Sequence, residues 1–192
     1  MALFLIVYVF LMSAFLIQFQ IIWPLESWLL GAFPQASVSL LFLPHGIKAI
    51  VAVLGGVPAL LGIAAAHFTT DLLLSLNLDR AVYSAFSGSI IMLLPLVLFN
   101  FMTHRKLFSG LPLNDDSNTH LFRVVLVVAL VASLLNGVIN SAVKDDQTIT
   151  FLAFKYVFGD MAGTLLAFGL LMLLRRHIMT LLEKALLIKS KN

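Results

Sequence analysis

The sequence has no cysteine among its 192 residues, and only 11% of them are charged. The first absence excludes disulfides, thiolate metal sites and cysteine nucleophiles. The second says more about the fold. Soluble domains are about 25% charged and about 45–50% apolar, whereas this chain is 61% hydrophobic with a mean hydropathy of +1.05. A chain this short cannot hide so much apolar surface by packing on itself in water. Its natural solvent is a lipid bilayer. Also missing are a Gly-x-Ser-x-Gly element, a His-Glu-x-x-His element and a phosphate-binding glycine loop. The expectation is therefore a protein that is not an enzyme and uses no cofactor and no metal. Two-residue alternation is lacking as well, which argues against a β-barrel.

What the sequence does have is a series of continuous apolar runs of about 20 residues, the length of a transmembrane helix. Six are predicted: 2–23, 37–54, 57–76, 82–102, 121–143 and 149–174. The first should end at Trp23-Pro24, with Trp28 close by as an interfacial aromatic. It carries no Lys or Arg and outlasts a signal-peptide core, so it is expected to be retained. Gly55-Gly56 and Pro58 should form a tight turn between the second and third spans, and these two short spans also allow a re-entrant pair. The long loop falls at 103–120. The fold class expected is all-α, a polytopic membrane protein with about six transmembrane helices in one domain, 1–176. Residues 177–192 have the pattern of a short basic amphipathic helix at the membrane surface.

Six spans put both termini on one side. A cytoplasmic placement puts Arg105, Lys106, Arg123, Arg175, Arg176, Lys184, Lys189 and Lys191 inside. Outside are Glu26, Asp79 with Arg80, and Lys144 with Asp145 and Asp146. Only this orientation obeys the positive-inside bias. The net charge of +3 thus reports orientation in the membrane rather than nucleic-acid binding.

An ionisable residue within a span costs at least ~2.5 kcal/mol, so each one asks for a partner or a role. The second span carries His45 and Lys48, the third His67 and Asp71, and the sixth Lys155 and Asp160, while the fifth adds Asn136 and Asn140. Two cations and two anions balance, which favours an internally paired set. Spacings of three or four residues put His45 with Lys48, His67 with Asp71, and Asn136 with Asn140 on single helix faces. In the orientation above, Asp71, Asn136, Asn140, Lys155 and Asp160 fall in the outer half, His45 and His67 near the midplane, and Lys48 slightly inward. One reading is an outward-facing polar cavity that binds a small ligand. The other is that Lys155–Asp71 or Lys48–Asp160 pairs and the asparagines hold helices together. His67 and Asp71 also stand at a metal-ligand spacing with His45 as a third donor, but nothing in the sequence forces that geometry, and the metal expectation is none. Phe86-Ser87-Gly88-Ser89 reads as a small-residue face for close helix contact.

Two short elements resemble a known family. Leu43-Pro44-His45-Gly46-Ile47 is similar to the Pro-Pro-x-Gly-Ile element of the bacterial membrane-associated sensor domain (MASE, first type), and Phe158-Gly159-Asp160-Met161-Ala162-Gly163 resembles that family's Gly-Asp-x-x-Gly element. The order of elements agrees over residues 37–176. The resemblance implies a sensory membrane module and carries over Pro44, Gly46, Gly159, Asp160 and Gly163. Physically, Pro44 should kink its helix and Gly46 should admit a neighbour. In the family, the last helix continues into a kinase, diguanylate cyclase or phosphodiesterase. No output domain is expected after Arg176, so the expected partner is a separate cytoplasmic signalling protein. Two alternatives remain: a substrate-capture subunit of a small-molecule transporter, resembling those of energy-coupling-factor systems, and a structural subunit of a membrane complex.

Overall fold

A computed structural model describes the backbone of residues 2–30, 39–103, 118–143 and 149–189, with the side chains of 3–29, 39–101, 121–140 and 154–174. Among these residues the chain is helical throughout its regular elements: α1 (Ala2–Ile17), a π turn (Gln18–Ile22), α2 (Trp23–Leu30), α3 (Leu43–Gly55), α4 (Val57–Ser75), α5 (Leu78–Thr103), α6 (Asn118–Val143) and α7 (Ile149–Lys189). Five stretches are long and apolar enough to cross a bilayer: Leu3–Leu29, Val57–Ser75, Leu78–Phe101, Leu121–Asn140 and Phe154–Leu174. This is a multi-pass membrane protein. Its packing is that of a membrane bundle, with side chains such as Phe10, Leu61, Phe86 and Leu173 exposed. The interior instead buries Gln18, His45, Lys48, Ser133, Asp160 and Thr164. Alanines 49, 52, 59, 66, 129 and 132 are buried among them, small enough to bring helix backbones together where no hydrophobic force acts between helices.

Three boundaries differ from the expectation. The first helix does not stop at Trp23-Pro24. A π turn precedes the proline, with the Trp23 N–H bonded to Gln18 O. That wider turn takes up the disruption of a proline within a helix, and the helix runs on to Leu30. Glu26 therefore lies on a helix rather than in a loop. Helix α5, expected as the fourth span, starts at Leu78 rather than Val82, because Asn77 Oδ1 accepts the Arg80 N–H at 3.0 Å and caps it. Finally, α7 continues through 175–189 without a break, where a separate surface helix was expected. Residues 104–117 and 144–148, with most of the expected long loop and the Lys144–Asp146 turn, lie outside the described residues.

The largest departure is the second span. Its helix begins only at Leu43, and its 13 residues reach ~20 Å at ~1.5 Å each, short of a ~30 Å hydrocarbon core. Residues 39–42 are not helical. Pro44 stands in the first turn of α3, where its missing N–H is one that a helix leaves unbonded anyway. It starts the helix instead of kinking it. The helix ends at Gly56, whose φ of 61° is a conformation that suits glycine.

The backbone amides of this non-helical segment need partners beside an apolar bundle, and they can be named. Leu41 N–H donates to Glu26 Oε1 at 2.8 Å, Phe42 N–H to Gly159 O at 2.9 Å, and Leu43 N–H to Gln18 Oε1 at 3.0 Å. Gln18 Nε2 also donates to Ser39 Oγ at 3.0 Å. Gln18 thus holds both ends of the unwound segment from the π turn that follows α1. Substituting it, Gln18→Leu, strands a buried amide and is expected to cost about 1–3 kcal/mol, read as a lower melting temperature in detergent.

Candidate functional site

The unwound segment and α3 lie directly against α7. A Cβ at Gly46 would sit 2.5 Å from Gly163 O and from Thr164 Cα. At Gly159 it would strike the Ser39 carbonyl, and at Gly163 the Phe42 carbonyl. The two elements singled out in the sequence therefore meet backbone to backbone, with glycine on both sides of the contact.

At that contact stands the first polar cluster. His45 Nδ1 is 3.1 Å from Asp160 Oδ2, and the two residues are 0% and 1% exposed. His45 Nε2 lies 3.2 Å from both Ala129 O and Ser133 Oγ. From α6, Asn136 Nδ2 donates to Asp160 Oδ2 at 3.3 Å, and Asn140 Nδ2 donates to Asn136 Oδ1 at 2.8 Å. The second bond fixes which end of the Asn136 amide faces the carboxylate. Thr164 Oγ1 donates back to Asp160 O at 2.7 Å.

A second cluster lies on α3, α4 and α5. Lys48 Nζ is 3.1 Å from His67 Nε2, and His67 Nδ1 is 3.2 Å from Ser84 Oγ. An ammonium has only donors, so Nε2 accepts and the ring hydrogen sits on Nδ1, aimed at Ser84. Phe15 meets the His67 ring edge-on at a centroid distance of 5.2 Å. The small-residue face of α5 makes room for this ring: a Cβ at Gly88 would lie 2.7 Å from His67 Cδ2 and Nε2. Gly88→Ala is expected to cost about 1–3 kcal/mol by overpacking. The penalty should shrink in a His67→Ala background, because the two changes share one space.

These contacts revise the expected pairings. Lys48 bonds His67 in place of a direct Lys48–Asp160 pair, and it is His45 that touches Asp160. Asp71 leaves the network altogether: its Oδ1 is 3.3 Å from Arg80 Nε across the α4–α5 turn, and Arg80 is 68% exposed. Leu76, with φ 52°, makes that turn and brings the two charges together. His67 and Asp71 thus face different partners and do not converge with His45 as metal ligands would. Lys155 is half-buried on α7, five residues before Asp160. Gln18, Glu26 and Ser39 belong to the site as supports and were not singled out from the sequence. The one signal they offered was polarity inside or beside apolar runs.

No family model, curated protein or solved structure matches this chain. What can be said of its function rests on its own residues.

Proposed function

We propose that this protein is a sensory module of a bacterial inner membrane, resembling the MASE domains, that binds a small ligand at an outward-facing polar site and acts through a separate cytoplasmic partner. The observation that carries this reading is the contact between residues 43–47 and 158–163. The residues that bear the resemblance, Pro44, Gly46, Gly159, Asp160 and Gly163, belong to one glycine-lined junction with a buried histidine–carboxylate pair at its centre. A ligand that favours one arrangement of α3 against α7 over another shifts the equilibrium between them. The uninterrupted α7 then carries the shift beyond the apolar span.

Both termini are proposed to be cytoplasmic, with residues 39–55 as one of six crossings. Four non-helical residues add up to ~13 Å at ~3.3 Å each to the ~20 Å of α3, enough for the hydrocarbon core. Because the chain has no native cysteine, single-cysteine variants test this cleanly. Asn77→Cys should be labelled by an impermeant maleimide in intact cells, and Ser190→Cys only after permeabilisation. The reverse pattern would overturn the orientation.

The functional test is purification of the tagged full chain from native membranes in mild detergent, with co-purifying proteins identified by mass spectrometry. The reading predicts a histidine kinase or a cyclic-dinucleotide enzyme whose activity changes when the module carries Asp160→Asn. The short α3 favours one other reading, since discontinuous helices at polar sites are a device of membrane transporters. Recovery of an ATPase with a coupling subunit would replace the sensor by a substrate-capture subunit. Normal partner activity with Asp160→Asn would reduce the cluster to a structural role.

A further inference from the structure

The donors around His45 leave one proton to be accounted for. Ser133 Oγ is 2.8 Å from Ala129 O, and both oxygens are 3.2 Å from His45 Nε2. A carbonyl oxygen only accepts, and the single hydroxyl hydrogen of Ser133 is used on it along the shorter bond. Nε2 must therefore carry a hydrogen. That leaves Nδ1 facing Asp160 Oδ2 at 3.1 Å, buried and without a formed hydrogen bond. Asn136 supplies one donor to this carboxylate oxygen, and nothing it supplies reaches the ring. A neutral ring beside an ionised carboxyl would set two lone pairs against each other in a place closed to water. One proton between them removes that opposition, whether it is written as imidazolium with carboxylate or as imidazole with carboxylic acid.

We infer that His45 and Asp160 together form a binding site for a single exchangeable proton inside the membrane, reached from the end of α6 along Asn140 and Asn136. Asn140 lies only three residues before the end of α6, and the asparagines form a hydrogen-bonded line from there to Asp160. The backbones of α3 and α7 touch at Gly46 and Gly163, so the emptied pair has no slack. Losing the proton loosens the α3–α7 junction. Other titratable and polar groups surround the pair. Lys48 on α3 is bonded to His67 of α4 and acts through space on both His45 and Asp160, and His67 and His45 act on each other. From α7, Tyr156 interacts with Asp160, and with Tyr83 of α5. Ser133, Asn136 and Asn140 from α6 and Gln18 before α2 carry no charge, and Glu26 on α2 is turned to Ser39 and Leu41.

The inference does not rest on the sensory reading, and recovery of any partner leaves it untouched. The test is a pH titration of the full chain in lipid nanodiscs. The carboxyl stretch is followed by infrared spectroscopy with ¹³C-aspartate, and the imidazole by ¹⁵N NMR of labelled histidine. The expected result is one step in which a carboxyl and an imidazole signal move together with about one proton exchanged, as a coupled pair requires. Asp160→Asn and His45→Gln should each abolish the joint step, while His67→Gln and Tyr156→Phe retain it. Separate titration of the two signals in the wild-type chain would overturn the site, as would a joint step that survives Asp160→Asn. The wild-type measurement decides the matter even if neither variant of the pair folds.

Discussion

Gly163→Val is expected to yield no stable protein, and Gly163→Ala a protein weakened by about 3 kcal/mol or more, combining overpacking with lost backbone bonds. A side chain at position 163 meets the Phe42 carbonyl, with Leu43 N 2.9 Å away. These are backbone atoms, and they are pinned. Phe42 N–H is bonded to Gly159 O, and Leu43 N–H to Gln18 Oε1. The segment cannot retreat from a new methyl group without giving up bonds that have no replacement inside a membrane. Gly169 on the same helix supplies the control, since a Cβ there meets nothing within 4 Å. Gly169→Val should melt within about 1 kcal/mol of the wild type, because valine is no worse a helix former than the glycine it replaces. The yield of Gly163→Val and the thermal unfolding of Gly163→Ala and Gly169→Val in one detergent check the prediction. Equal effects at 163 and 169 would mean that α7 does not touch the unwound segment.

Asp160→Ala is expected to be the most damaging polar substitution, at about 3–5 kcal/mol, the range for removing one partner of a buried charge pair. The loss has several parts. His45 Nδ1 loses the group it faces, the Asn136 amide loses its acceptor, and the buried Lys48 loses an anion that acts on it. Asp160→Asn retains an acceptor and nearly the same volume, so it should cost much less. Melting temperatures of the two variants test the difference. If they fall together, the carboxylate charge rather than the lost contacts sets the cost.

Much of this architecture was legible in the sequence, for reasons particular to it. Apolar runs report spans because the bilayer imposes their length, and intramembrane charges stand out because they are costly. His45 and Asp160 were singled out in this way, and Gly88 by its small neighbours. The helix break before Leu43 was not legible. Ser39-Leu40-Leu41-Phe42 is almost wholly apolar, so its hydropathy continues that of α3. What unwinds it is tertiary: Gln18, Glu26 and Gly159 offer its amides better partners than a continued helix would. Gln18 and Glu26 acquire their roles only once α1 and α2 lie beside that segment. The Asp71–Arg80 pair was hidden for a related reason, since a left-handed Leu76 joins residues that a helical count keeps apart. Pro24 misled because the compensating π turn is a feature of backbone geometry rather than composition.

The central claim is that α3 and α7 are joined through a direct His45–Asp160 interaction at their glycine contact. A double-mutant cycle of His45→Ala and Asp160→Ala, measured by reversible unfolding of the full chain in mixed micelles, tests it most directly. The account predicts strong non-additivity, with a coupling energy of about 1–3 kcal/mol. Effects that add to within about 0.5 kcal/mol would contradict it, because they would mean that the two residues stabilise the bundle independently.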